Sequence, residues 1–176
     1  MEIKANDYDI VIGDVDQENT VFLYFSYHCN FCRRFYDEVY PELDSLFIKE
    51  KKLKLILKLV EFNEHPDVVK GLQTVVCLNK YGKLSKLHEL LLYNPGVVYS
   101  DEFNSLIDQY IFDNSDFAEC YLHDNEYHWL KANNKEFYAL NLKGTPTFVI
   151  NNNVYEGYYN YKNFLKIILE EFNFKN

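Results

Sequence analysis

Residues 20–35 read TVFLYFSYHCNFCRRF, and the reading of this stretch decides the fold. TVFLYFS at 20–26 is an unbroken apolar and aromatic run, the pattern of a central strand covered on both faces. Cys29 and Cys32 follow at once, three apart. Phe35, Val39, Leu43, Leu46 and Phe47 then recur at helical spacing, so a helix starts near Cys29, with Pro41 inside it as a kink rather than an end. A strand running into C-x-x-C at a helix start is a redox pattern. Unpaired N–H groups and the helix dipole favour a negative charge there, which populates the reactive thiolate at Cys29. Cys32 lies one turn further in and is more shielded. Cys29 therefore exchanges with an outside thiol or disulfide, and Cys32 resolves the mixed disulfide. His28 and Arg33 place positive charge nearby.

Other uses of the pair are weaker. A zinc site of this kind needs a second pair with similar local spacing. Cys77 and Cys120 each stand alone, and a site completed by His28, His65 or His88 needs coincidence. A bond across three residues closes almost no loop and stabilises little. A module holding a soft metal through Cys29 and Cys32 remains the alternative from another functional class. His65, His88, His123 and His128 are scattered without metal-ligand spacing and read as ordinary side chains.

Working outward, residues 8–12 (YDIVI) read as a short edge strand and 53–61 (LKLILKLVE) as the strand after the first helix. Residues 66–139 hold no convincing strand. Val68, Leu72, Val75 and Val76 share a helical face, as do Leu84, Leu87 and Leu91, and again Phe103, Leu106, Ile107, Tyr110 and Ile111. The stretch from Phe117 to Tyr138 is helical but less regular. Breaks fall at Asn94-Pro95-Gly96 and Asp113-Asn114-Ser115, giving four or five helices. Strands return at 145–150 (TPTFVI) and 154–157 (VYEG), with Asn152-Asn153 as the hairpin turn. Tyr161, Phe164, Leu165, Ile168, Leu169 and Phe172 line one face of a last helix. The order is β-β-α-β, a helical block, then β-β-α.

Of the 176 residues 48 % are apolar, enough for a sizeable core, and the formal net charge is −9. A chain this acidic, with no basic cluster longer than Arg33-Arg34, has no electrostatic reason to bind nucleic acid. No apolar run is long enough to span a membrane. The start, MEIKANDYDIV, is too polar for a signal peptide, so the expectation is either a cytoplasmic protein or one whose leader has been removed.

Three segments carry a resemblance: FSYHCNFC at 25–32, CLNKYGKLSKLHELLL at 77–92 and GTPTFVINNNVYEG at 144–157. Together they resemble the DsbA-like thiol–disulfide oxidoreductases of the thioredoxin superfamily, in the bacterial branch with a Gly-Thr-Pro-Thr loop. The resemblance spans nearly the whole chain. It implies an α/β thioredoxin fold: residues 1–64 and 143–176 form the thioredoxin-like domain, and 65–142 an inserted helical subdomain. It implies a dithiol oxidase that introduces disulfides into reduced or unfolded secreted proteins, with a reductase or isomerase as runner-up. Cys29 and Cys32 would be catalytic. Thr145-Pro146 would be a cis peptide packed against them, positioning substrate. His28, Asn30 and Phe31 would tune the thiolate, with Phe31 exposed at the tip as a contact for apolar peptide segments. No cofactor beyond the Cys29–Cys32 disulfide is implied. A DsbB-type membrane oxidase would recharge the protein, which would be a periplasmic or otherwise extracytoplasmic monomer. Some relatives carry a second cysteine pair in the helical block. Cys77 and Cys120 either close such a structural disulfide or stand as two buried thiols.

Two departures stand out. Many relatives have a buried carboxylate six residues before the first cysteine, where this chain has Leu23. Glu61 is the candidate substitute. The dipeptide between the cysteines is Asn-Phe rather than Pro-His, which points to a weaker oxidant, with His28 compensating in part.

Overall fold

A computed structural model describes residues 3–81, 85–123 and 127–174. Strand β1 (Ile10–Ile12) is followed by β2 (Thr20–Phe25), helices α1 (Asn30–Glu38) and α2 (Tyr40–Leu43), and β3 (Lys54–Leu59). Five helices then intervene among the described residues: α3 (Pro66–Lys80), α4 (Ser85–Tyr93), α5 (Asp101–Asp113), α6 (Ser115–His123) and α7 (His128–Ala139). The chain returns through β4 (Thr147–Ile150) and β5 (Asn153–Glu156) to α8 (Tyr161–Glu171). The five-stranded sheet has the order β1-β3-β2-β4-β5. β2 and β3 run parallel, and every other pair is antiparallel. This is the mixed α/β thioredoxin architecture that the resemblance implies, with the helices of 66–139 between its two halves.

β2 lies between β3 and β4, and its two faces feed two different cores. Val21, Leu23 and Phe25 join the main cluster with Phe35 and Phe164. Tyr24 points the other way, toward Phe137 and Val149. A strand buried on both faces needs the continuous apolar run that 20–26 supplies.

The long helix after Cys29 bends where Pro41 lies. α1 gives way at Val39 (φ −124°, ψ −45°), whose N–H still reaches Phe35 O at 3.0 Å, and α2 resumes at Tyr40. A π-helical turn follows at Asp44–Ile48. Its wider spacing rotates the face by part of a turn, so Phe47 and Ile48 are buried while Leu46, read as part of the apolar face, is 45 % exposed.

Lys58 in β3 is buried because α7 covers that face of the sheet. Its Nζ lies 2.9 Å from Asp9 Oδ2 and 3.1 Å from Glu136 Oε1. Tyr24 OH donates to Glu136 (2.6 Å), and the Asn133 amide donates to Asp9 Oδ1 and Leu59 O, each at 3.1 Å. Partners on every side are what makes a buried cation tolerable.

In the helical block α3 buries Val68, Leu72, Val75 and Val76, α4 buries Leu87 and Leu91, and α5 buries Phe103 and Ile107. Leu84, read with the α4 face, lies outside the described residues. Gly71 lets α3 approach a 3-10 turn at Pro95–Tyr99: a Cβ there would sit 2.6 Å from Val98 Cγ1. Gly71→Ala should therefore destabilise the protein by roughly 1–2 kcal/mol, the clash outweighing the better helix propensity of alanine. Urea unfolding would read this as a lower midpoint at constant slope.

Two boundaries shift in the second half. β4 begins at Thr147 rather than Thr145, since Pro146 has no N–H to give to a ladder. The hairpin turn is Asn151-Asn152, not Asn152-Asn153: both residues take positive φ (49° and 67°), and Ile150 pairs directly with Asn153. Asparagine tolerates this conformation better than most residues, which is why an Asn-Asn turn closes a two-residue hairpin. Tyr161, read as core, is only partly buried against it.

Candidate active site

β2 ends at Phe25, and the chain turns over Ser26-Tyr27-His28. Cys29 N–H donates to Ser26 O (3.2 Å), and His28 N–H donates to Ser26 Oγ (3.1 Å). The turn delivers Cys29 to the N-cap of α1, with extended backbone (φ −97°, ψ 113°). Cys32 N–H donates to Cys29 Sγ (3.4 Å), as a capping side chain requires. Cys29 Sγ in turn lies 3.0 Å from Thr145 O. The first turn of α1 carries no acidic residue to oppose a thiolate.

The two sulfurs sit in different surroundings. Cys29 is half-buried, and Cys32 is fully buried. The Cys32 thiol, the Thr145 side chain and the N–H groups of Cys32 and Phe31 hold the Cys29 thiol down to about 5, against the opposing effect of burial. Burial, then the hydrogen bond and charge of Cys29, push Cys32 well above the ordinary thiol range. One sulfur is a thiolate at neutral pH and the other a protonated thiol, the division that thiol–disulfide exchange uses.

The sign of the pH dependence follows. Cys29 titrates below an ordinary thiol, so the reduced protein gains stability that is complete above about pH 8.5 and lost as pH falls through the Cys29 value. The disulfide form has no such gain. Between about pH 5 and pH 8.5 the equilibrium constant for reduction by glutathione should therefore rise about tenfold per pH unit. The thiolate absorbance of the reduced protein should titrate with a midpoint of about 5, and a midpoint at the ordinary thiol value would contradict the geometry.

Thr145-Pro146 is a cis peptide whose loop meets Cys29 through Thr145. The loop is held from behind: Gly157 N–H donates to Pro146 O (2.8 Å) and Thr147 Oγ1 to Gly144 O (2.6 Å). Tyr158 lies over the Arg34 guanidinium (4.5 Å) and bonds Glu38, tying the segment after β5 to the outer face of α1. Tyr159 packs on Tyr155.

The three residues read as tuning the thiolate divide. Phe31 acts through its N–H, and its ring stands 57 % exposed at the tip. Asn30 is exposed. His28 pairs with Glu61, its Nδ1 lying 2.9 Å from Glu61 Oε2. The charge on that buried carboxylate captures the ring, and the largest effects that lower Cys29 come from Cys32, Thr145 and Phe31.

Leu23 is buried opposite Leu57 and Phe148. Sequence reasoning missed Ser26, whose hydroxyl donates to Glu61 Oε2 (3.1 Å). It also missed His88, whose Nδ1 is 2.8 Å from Tyr27 OH and which burial pushes down to about 4. That contact joins α4 to the cysteine loop, and no spacing in the sequence signals it. Cys77 in α3 and Cys120 in α6 are bonded, with Cα atoms 5.8 Å apart. Among the described residues no three His, Cys, Asp or Glu side chains are arranged to hold a metal ion, so the soft-metal reading finds no ligands beyond the pair. No helix described is long and apolar enough to cross a membrane.

Comparison with known proteins agrees with this geometry. The Thioredoxin family model matches residues 5–170. A Rickettsia conorii protein provisionally named a protein-disulfide oxidoreductase is 24 % identical over 154 residues, 84 % of this chain; the chain spans 55 % of that relative's length. Oxidised BdbD of Bacillus subtilis superposes with a TM-score of 0.72 at 17 % identity, covering 96 % of this chain and 95 % of that one. α-DsbA1 of Wolbachia pipientis gives 0.68 at 18 %, covering 94 % and 91 %. The catalytic domain of Proteus mirabilis ScsC gives 0.66 at 18 %, covering 96 % and 92 %. At these identities the structures speak for the fold, and the family match runs through both halves and the helical block: the chain belongs to the thioredoxin family and carries the DsbA-like form of its fold.

Proposed function

We propose that the protein is a dithiol oxidase that gives the Cys29–Cys32 disulfide to pairs of thiols in reduced or unfolded substrate proteins. The observation that carries this reading is the split between the sulfurs: Cys29 held down to about 5 at a helix N-cap, Cys32 buried and pushed up. A substrate thiolate attacks Cys29 Sγ. The Cys29–Cys32 bond breaks, and its electron pair leaves on Cys32, which takes up a proton. A second substrate thiolate then attacks the substrate sulfur of the mixed disulfide and expels Cys29 as a thiolate. The substrate is oxidised by two electrons and the protein is reduced by two. A low Cys29 value makes Cys29 the better leaving group and stabilises the reduced protein, both of which favour donating the disulfide.

The Thr145-Pro146 loop is read as the substrate-positioning element, its backbone beside Cys29 open to pair with an extended chain. Exposed Phe31 supplies an apolar contact next to the sulfur. Residues 65–142 are read as an inserted subdomain over the site. Turnover needs a reoxidant, and a quinone-linked membrane partner of the DsbB kind fits. The Cys77–Cys120 bond favours an oxidising compartment such as the periplasm, with the protein acting as a monomer and without a cofactor. The test is stoichiometric: oxidised protein mixed with a reduced two-cysteine protein should transfer one disulfide per chain. If the reduced protein instead cleaves substrate disulfides and the oxidised form transfers none, the protein is a reductase.

A further inference from the structure

Ser26, His28 and Glu61 form a cluster beside the cysteines that the exchange steps do not use. Glu61 lies just past the end of β3, with only 5 % of its surface exposed. Its Oε1 accepts the N–H groups of Phe62 and Asn63, both at 2.9 Å. Its Oε2 accepts Ser26 Oγ (3.1 Å) and faces His28 Nδ1 (2.9 Å). A carboxylate offers about four acceptor sites, and here four donors occupy them. Glu61 is thus built to remain an anion rather than to take a proton from Cys32. The two side chains it holds are the ones that shape the loop before Cys29, since Ser26 receives the N–H of His28 at Oγ and that of Cys29 at its carbonyl.

We infer that Glu61 is a positioning residue for the exchange centre: it anchors Ser26 and His28, and through that turn sets where Cys29 stands and holds the His28 ring one residue before it. This rests on the oxidoreductase reading above. Glu61 is the charged group that meets the His28 ring among the described residues. Elsewhere around the cluster α7 offers the neutral amide of Asn134 to the Glu61 backbone. Val68, Leu72, Leu91 and Val98 line the small gap beside His28 with apolar surface. The hydrogen bond to Glu61 raises His28 above an ordinary imidazole, against the effect of burial. The His28 side chain is 31 % exposed.

Two readouts test this. In the oxidised protein, where no thiolate interferes, the NMR titration of the His28 ring should move in Glu61→Gln to about tenfold weaker proton affinity. In the reduced protein, the iodoacetamide rate of Cys29 against pH should show a second inflection from His28. Glu61→Gln should displace that inflection, and should have no further effect in a His28→Gln background. An unmoved His28 titration, or an equal effect of Glu61→Gln in both backgrounds, would reduce Glu61 to a purely structural role and overturn the inference. If Glu61→Gln does not fold, His28→Gln alone decides: loss of the second inflection supports the inference and an unchanged profile overturns it. Expected titrations in a protein that transfers no disulfide would support the positioning role and sink the oxidoreductase reading instead.

Discussion

Cys32→Ser is expected to convert the protein into a trap. Cys29 keeps its N-cap and its contact with Thr145, so it still forms a mixed disulfide with a substrate disulfide, expelling that substrate's other sulfur as a thiolate. The sulfur that would resolve that species is gone. Mass spectrometry of the variant with a disulfide-bonded peptide should find the covalent adduct, formed as the peptide's other sulfur leaves as a thiolate, persisting where the wild type clears it. Cys29→Ser should form no adduct and lower exchange by roughly a thousandfold or more, because a hydroxyl cannot replace a thiolate nucleophile. If Cys29→Ser exchanges normally, or Cys32→Ser clears its adduct as fast as the wild type, the assignment of the two roles is wrong.

The second large effect is on stability. The Cys77–Cys120 bond joins positions 43 apart and ties α3 to α6. Cross-linking a loop of this length restricts the unfolded chain by about 4 kcal/mol in the chain-entropy description. The surroundings are closely tied: the Gln73 amide donates to Cys120 O (3.3 Å), and Trp129 Nε1 donates to Gln73 Oε1 (2.6 Å). Cys77→Ala/Cys120→Ala should lose that stabilisation in urea unfolding, with Tm falling by roughly 8–16 °C for a chain of this size. A loss below about 1 kcal/mol would mean that the cross-link constrains little of the unfolded chain.

How legible the molecule is in its sequence varies with the kind of interaction. The strand at 20–26, the helix opening at Cys29 and the return of strands after the helical block rest on periodicity and spacing, which act locally. Pro41 announces its own kink. Leu46 misleads because a π-helical turn changes the period inside one element, and nothing in DSLFI marks it. The burial of Lys58 depends on α7, nearly 80 residues later. Glu61 could be nominated as a spare carboxylate, but its four donors come from two separate stretches, 26–28 and 62–63. The Tyr27–His88 contact is tertiary throughout. Thr145 and Pro146 were reached by resemblance, since an X-Pro bond is cis in only about 5 % of cases and composition gives no sign of it.

The measurement that tests the central claim most directly is the reduction potential of the Cys29–Cys32 pair in glutathione buffers. It belongs on the Cys77→Ala/Cys120→Ala background, so that one disulfide is read. A thiol held at about 5 lies between about 7 for thioredoxin and about 3.5 for the strongest oxidase. The potential should accordingly fall between theirs, roughly −150 to −200 mV, and the protein should donate its disulfide to ordinary dithiols. A value at or below roughly −270 mV would place it with the reductants and contradict the oxidase account.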